Sequence, residues 1–166
     1  MRGLFAAALA ALAACSQAPD SAVAQPAAAP AEDPRAQTGL AMVPLVIESG
    51  NATHSFRVEV AATAGEQSRG LMFRRRVAPE EGMIFPFDPP RPASFWMKNT
   101  VIPLDMLFIR ADGRIARIAA NTVPLSLEGV GVGEPVAAVL ELAGGRSAEL
   151  GIREGDRVRW GAALGR

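Results

Sequence analysis

Two apolar-rich runs mark the start of the foldable part of the chain. Pro44-Leu45-Val46-Ile47-Glu48 and His54-Ser55-Phe56-Arg57-Val58-Glu59-Val60 read as strands split by the turn formers Gly50-Asn51. In the second, Phe56, Val58 and Val60 alternate with Ser55, Arg57 and Glu59, the period of a half-buried strand. Thr63-Ala64-Gly65-Glu66 matches a capping box, in which threonine and glutamate side chains each accept an orphan backbone N–H at a helix start. The helix is predicted to run through Phe73 and to end among Arg74-Arg75-Arg76. Met83-Ile84-Phe85 follows as a short strand stopped by Pro86, then a rigid loop Asp88-Pro89-Pro90-Arg91-Pro92, then a strand over residues 93–98. The apolar runs 104–110 and 114–119 flank Asp112-Gly113, the strongest hairpin signal in the chain. A further strand is predicted over 136–142, a brief helix over 146–150 and a last strand over 157–160. Many strands, turn signals between them and two short helices predict a mainly β fold, a compact sandwich or barrel of short, largely antiparallel strands. Regular β/α alternation, the mark of a parallel doubly wound sheet, is missing.

The first residues follow a different pattern. Arg2 gives a positive start, and residues 4–12 form an apolar run too short for a stable membrane span. Small residues then lead to Cys15, and Leu12-Ala13-Ala14-Cys15 resembles the lipobox cut by the lipoprotein signal peptidase. That resemblance implies a leader over 1–14 and acyl chains on Cys15, and two or more chains anchor a protein firmly. Ser16, rather than aspartate, after the cysteine points to the outer membrane, facing the periplasm. Residues 15–42 comprise the lipidated cysteine and an Ala/Pro-rich tether with too few large apolar groups to offset its ordering entropy. Residues 43–166 are then a single mainly β domain.

Composition narrows the chemistry. Formal net charge is zero over 166 residues and no long basic block occurs, so nucleic acid is not an expected partner. The only cysteine is Cys15 and the only histidine is His54. An intramolecular disulfide, a Cys/His zinc site and a Cys–His nucleophile in the folded domain are excluded by that count. No G-x-S-x-G elbow is present to build a serine triad around His54. No metal and no cofactor are expected.

The densest unusual run is Phe95-Trp96-Met97-Lys98-Asn99-Thr100-Val101-Ile102-Pro103-Leu104-Asp105. Lys98 is the only lysine in a chain that otherwise uses arginine. Lysine supplies a compact ammonium where a planar guanidinium would be too wide. Asp105 interrupts an apolar strand, so its charge needs a partner; Glu141 interrupts another. Two readings stand open. In one, Lys98 holds an anion or acts as a base, with Asn99, Thr100 and Asp105 orienting a ligand, Trp96 or Phe95 stacking on it, and Arg69 and Glu141 contributing. In the other, Asp105 pairs with Lys98 or an arginine, or accepts backbone N–H bonds from the 99–103 turn, while Trp96 fills the core, since buried ion pairs are commonly structural. Arg74-Arg75-Arg76 is expected as a solvated face, His54 as an exposed strand-start residue, and Met72, Met83, Met97 and Met106 as core filler.

The chain also resembles the domain-of-unknown-function-192 family. The resemblance rests on Arg69-Gly70-Leu71-Met72, Gly82-Met83-Ile84-Phe85, Phe95-Trp96-Met97-Lys98-Asn99-Thr100 and Pro103-Leu104-Asp105. Glu141 with Gly144, and Gly151-Ile152 with Gly155-Asp156, extend it over most of 43–166. It implies a compact mainly β domain, often exported, and brings no established activity.

Three function classes follow as expectations. The first is a non-catalytic binding or accessory module of the cell envelope, for a glycan or another small anionic ligand. The second is a hydrolase or lyase using Lys98 with Asp105 or Glu141 as acid and base. The third is a structural partner of another envelope protein. The address itself is testable: mass spectrometry of the protein from its native host should show Cys15 as an acylated first residue. An intact leader, or a processed form without fatty acid, would contradict this.

Overall fold

The computed structural model describes residues 39–161. The expected leader, Cys15 and the expected tether up to residue 38 lie outside these. Strand β1 (Met42–Ser49) and β2 (Ala52–Val60) form the first hairpin, antiparallel with Ser49 opposite Ala52. Gly50 takes φ 55° at the turn, a left-handed value open to glycine at little cost. Helix α1 (Ala64–Arg69) follows, with both halves of the predicted capping box formed between Thr63 and Glu66. Then come β3 (Glu81–Phe95), β4 (Leu104–Ile109), β5 (Ile115–Ala119), β6 (Val130–Ala143), α2 (Arg146–Glu149) and β7 (Arg157–Trp160).

The fold is mainly β: one seven-stranded sheet in the order β5-β4-β6-β3-β2-β1-β7. Every neighbouring pair is antiparallel except β2 with β3. The sheet curls until its two edges touch. Arg114 of the β4–β5 turn bridges Arg157 of β7, and the amides of Ile115 and Val158 donate across the gap to Asp156 (2.9 Å) and Gly113 (2.8 Å).

Two apolar layers result. All seven strands contribute to one, including Leu45, Phe56, Ile84, Leu107, Ile115, Leu140 and Val158, so this layer fills the inside of the curl. The other lies outside β3, β4 and β6 and joins Met83, Phe85, Met106, Phe108 and Val139 to Leu71 and Met97 from the segments that cross over them. Strands covered on both faces lose the alternating pattern, which is why β4 is buried at every position.

Three elements depart from the sequence-based expectation. Helix α1 stops at Gly70, whose φ of 46° breaks the helical path, and does not continue to Phe73. Strand β3 runs through the Pro-rich segment instead of ending at Pro86. Its pairing with β6 shifts register between Pro86 and Arg91 and again between Pro92 and Ser94, where prolines need donate no ladder hydrogen bond. Strand β6 begins earlier than predicted, at Val130, because it accompanies the extended β3. These two strands are therefore long rather than short.

Gly82 shows how tightly the middle of the sheet is built. A Cβ there would lie 2.4 Å from the Glu141 carbonyl oxygen and 2.9 Å from Leu142 Cδ2. The first of these is backbone and cannot rotate away. Gly82→Ala is expected to lower stability by about 2 kcal/mol, the usual scale of overpacking, as measured by chemical denaturation.

Candidate functional site

The segments that cross the outer face of the sheet leave a cavity of about 390 Å³ between them and strands β3 and β6. Its sides are aromatic. Phe85 and Phe95 meet edge to face with ring centroids 5.0 Å apart, and Phe87 and Trp96 complete the wall. Gly70 lets the end of α1 approach Phe85 closely, since a Cβ there would come within 3.2 Å of the ring. At the mouth stand three exposed cations, Arg69, Arg91 and Lys98.

Two of these cations are held in place. The Arg91 guanidinium lies 4.2 Å from the centroid of Phe87 and donates to Gln67 Oε1 at 3.4 Å. Gln67 is itself pinned, donating to the carbonyls of Ala61 (3.2 Å) and Pro86 (3.0 Å). Lys98 Nζ sits 5.1 Å from the centroid of Trp96, a ring half open to solvent. Cations over aromatic faces gain electrostatically from the ring quadrupole.

Glu141 lies at the inner end. It is 4% exposed, and among the described residues no hydrogen bond or ion pair reaches its carboxyl. Register places it directly between Met83 of β3 and Met106 of β4, two fully buried side chains. Burial pushes its pKa up to about 8, so the group is mostly protonated at neutral pH.

Of the residues singled out in the sequence, Arg69, Trp96, Lys98, Thr100 and Glu141 line this cavity. Asn99 and Asp105 do not. Asn99 takes φ 56° and accepts the Phe73 amide on its carbonyl at 2.8 Å, tying the segment after α1 to the 98–100 turn. Asp105 points to the other side of β4, where Oδ1 accepts the amides of Asn121 and Gly145 and Oδ2 that of Ser147, each at 2.8 Å. Its partners are two amides of later loops and one of α2, and not Lys98, an arginine or the 99–103 turn. Asp105 is thus bound by backbone amides, but none of the partners expected for it is among them.

Other expectations also change. Arg74 is not part of a solvated face: it forms a buried ion pair with Glu59 of β2. Trp96 is half exposed instead of filling the core. His54 is half-buried on β2 and does not line the cavity. Met83, Met97 and Met106 are core residues, as expected of them. Sequence reasoning missed Arg91, Gln67, Phe85 and Phe87 as cavity residues, while Phe95, named as an alternative stacking face, lines the cavity with Trp96. An arginine fixed between Pro90 and Pro92 was the one available signal for the first. Among the described residues, no group of three or more His, Cys, Asp or Glu side chains could hold a metal.

The model of the DUF192 family, described as "Uncharacterized ACR", matches residues 45–160, more than half of the chain. Two solved structures are similar throughout this region. One is a protein of unknown function from Novosphingobium aromaticivorans DSM 12444. It is 49% identical, covers 81% of this chain and 94% of its own, and superposes with a TM-score of 0.73. The other, from Sinorhizobium meliloti 1021 and named as a candidate transcription regulator, is 43% identical, covers 73% and 95%, and has a TM-score of 0.71. No curated protein matches the chain.

Two stability experiments follow from this geometry. Asp105→Ala would leave three amides without their acceptor, that of Ser147 fully buried, and is expected to cost about 3 kcal/mol in denaturant unfolding. Glu141 should leave a pH signature. In the unfolded chain it releases its proton near the ordinary value of 4.5, in the folded chain near 8. Between these values the folded state binds more protons, so stability falls as pH rises, at a slope approaching about 1.4 kcal/mol per pH unit. Glu141→Gln should remove that slope and gain on the parent most above the folded-state pKa.

Proposed function

We propose that this chain, which belongs to the uncharacterised DUF192 family, is a non-catalytic binding module of the bacterial cell envelope. Its ligand is a small anion with an apolar or planar body, taken into the cavity beside α1. The reading rests above all on one observation: three exposed cations, Arg69, Arg91 and Lys98, ring an aromatic cavity of about 390 Å³. That volume falls within the usual range for small-molecule sites, and a few placed polar groups among apolar walls are the usual means of orienting a ligand. Lipid at Cys15 would hold the module to the membrane, on the strength of the Leu12-Ala13-Ala14-Cys15 string. An envelope glycan fragment carrying an acidic group fits the same chemistry. A macromolecular anion such as DNA fits it less well, because base or backbone readout needs a basic stripe across a surface.

A second reading has one observation in its favour. A carboxyl with its pKa raised to about 8 and lining a cavity is chemically suited to general acid work. The hydrolase or lyase alternative is reduced to Lys98 with Glu141, since Asp105 is occupied by backbone amides. The cavity residues include no side chain with an activating base beside it, and the binding reading is preferred on that ground.

The test uses 8-anilinonaphthalene-1-sulfonate, an aromatic body with one fixed negative charge. It should bind with one-to-one stoichiometry, brightening its emission. The Arg91→Ala/Lys98→Ala double variant should weaken that binding by about tenfold or more, on the scale of two lost charge-assisted contacts. Undiminished binding to the double variant would count against the cavity as an anion site.

A further inference from the structure

We infer that the inner end of this cavity selects an uncharged group that both donates and accepts hydrogen bonds, such as a primary carboxamide or a lactam edge. The ligand's anionic end would remain at the mouth. The inference rests on the binding reading above and specifies the chemistry of the ligand's buried end.

Glu141 carries the inference. Its carboxyl is nearly enclosed, lines the cavity and has no partner among the described residues. A buried polar group left unpaired costs free energy that a suitable ligand can recover. The charged groups around it are few. On the flanking strands the side chains directly opposite are Met83 and Met106, neither of which titrates. Beyond Met83, in register on β2, lies Glu59, engaged by Arg74. From α1, the far part of β3 and the 98–100 turn come Arg69, Arg91 and Lys98, which no ion pair joins to Glu141 among the described residues.

In this setting the carboxyl is held as the neutral acid, consistent with its raised pKa. A neutral carboxyl offers one O–H donor beside one carbonyl acceptor. A carboxamide presents the complementary pair, so two parallel hydrogen bonds close a ring between them. A cationic inner end is disfavoured, because it would have to pass the three cations of the mouth. A second carboxylate is disfavoured too, since it would be buried with no cation at the floor.

Benzoate and two para-substituted benzoates of nearly equal shape, para-carbamoylbenzoate and para-amidinobenzoate, separate the cases by isothermal titration calorimetry. At about pH 6 the carboxamide should bind at least about tenfold tighter than benzoate, the worth of one or two satisfied buried hydrogen bonds. Its affinity should fall by about tenfold or more when pH is raised well past 8, as Glu141 ionises. Glu141→Gln, a neutral donor and acceptor, should keep the preference and flatten the pH profile; Glu141→Leu should erase the preference while benzoate still binds. Equal affinity for carboxamide and benzoate would overturn the inference while leaving the anion site standing. Tightest binding by the amidine, rising with pH, would overturn it in favour of an ionised floor. Failure of all three to bind would overturn the inference and the cavity reading together.

Discussion

Where strands β3, β4 and β6 are covered on both faces, a carboxyl on them or on neighbouring β2 must find its partner inside the protein. Among the described residues three acids are buried in this way, Asp105, Glu59 and Glu141, and each is treated differently. Asp105 faces into the curl and gathers three backbone amides, joining loops that follow β5 and β6. Glu59 faces outward and is neutralised by Arg74, which reaches back from the segment after α1. Glu141 also faces outward, one strand beyond Met83 in the same row, and has neither amide nor arginine. Two of these groups hold the fold together. The third is left with its hydrogen-bonding capacity unspent, in the wall of the cavity beside α1.

The same constraint explains what the sequence disclosed. Alternation at 54–60 and the Asp112-Gly113 turn were legible because they depend on neighbours along the chain. The capping box at Thr63 was legible for the same reason, and both of its halves form. The length of β3 was not. Its prolines read locally as a loop, and only the antiparallel partner β6 and two shifts of register show how they fit into a strand. The early end of α1 has a local cause in Gly70, but glycine inside a helical pattern does not by itself announce a stop.

For the site, residue chemistry was readable and direction was not. Lys98, Trp96 and Glu141 stood out as unusual types in their surroundings, and the cavity brings them together. Asp105 stood out equally, yet a difference of one position along β4 turns it to the opposite face. Parity within a strand buried on both sides cannot be read from hydrophobic pattern, because both parities look alike. Arg91 was hidden by the opposite problem: nothing marks a rim arginine in sequence apart from the prolines around it.

The seam where the curled sheet meets itself has a bearing on motion. It joins β5 to β7 through a single bridge and a handful of amide bonds, whereas β1 with β2, β3 with β6 and β4 with β6 each pair at six or more positions. Breathing of the barrel should therefore begin along this short suture, at the margin of the sheet. Glu141 stands on β6, two strands in from β5, with β4 between. Thermal opening of the edges can then be absorbed by the margin, leaving the geometry around the buried acid comparatively rigid.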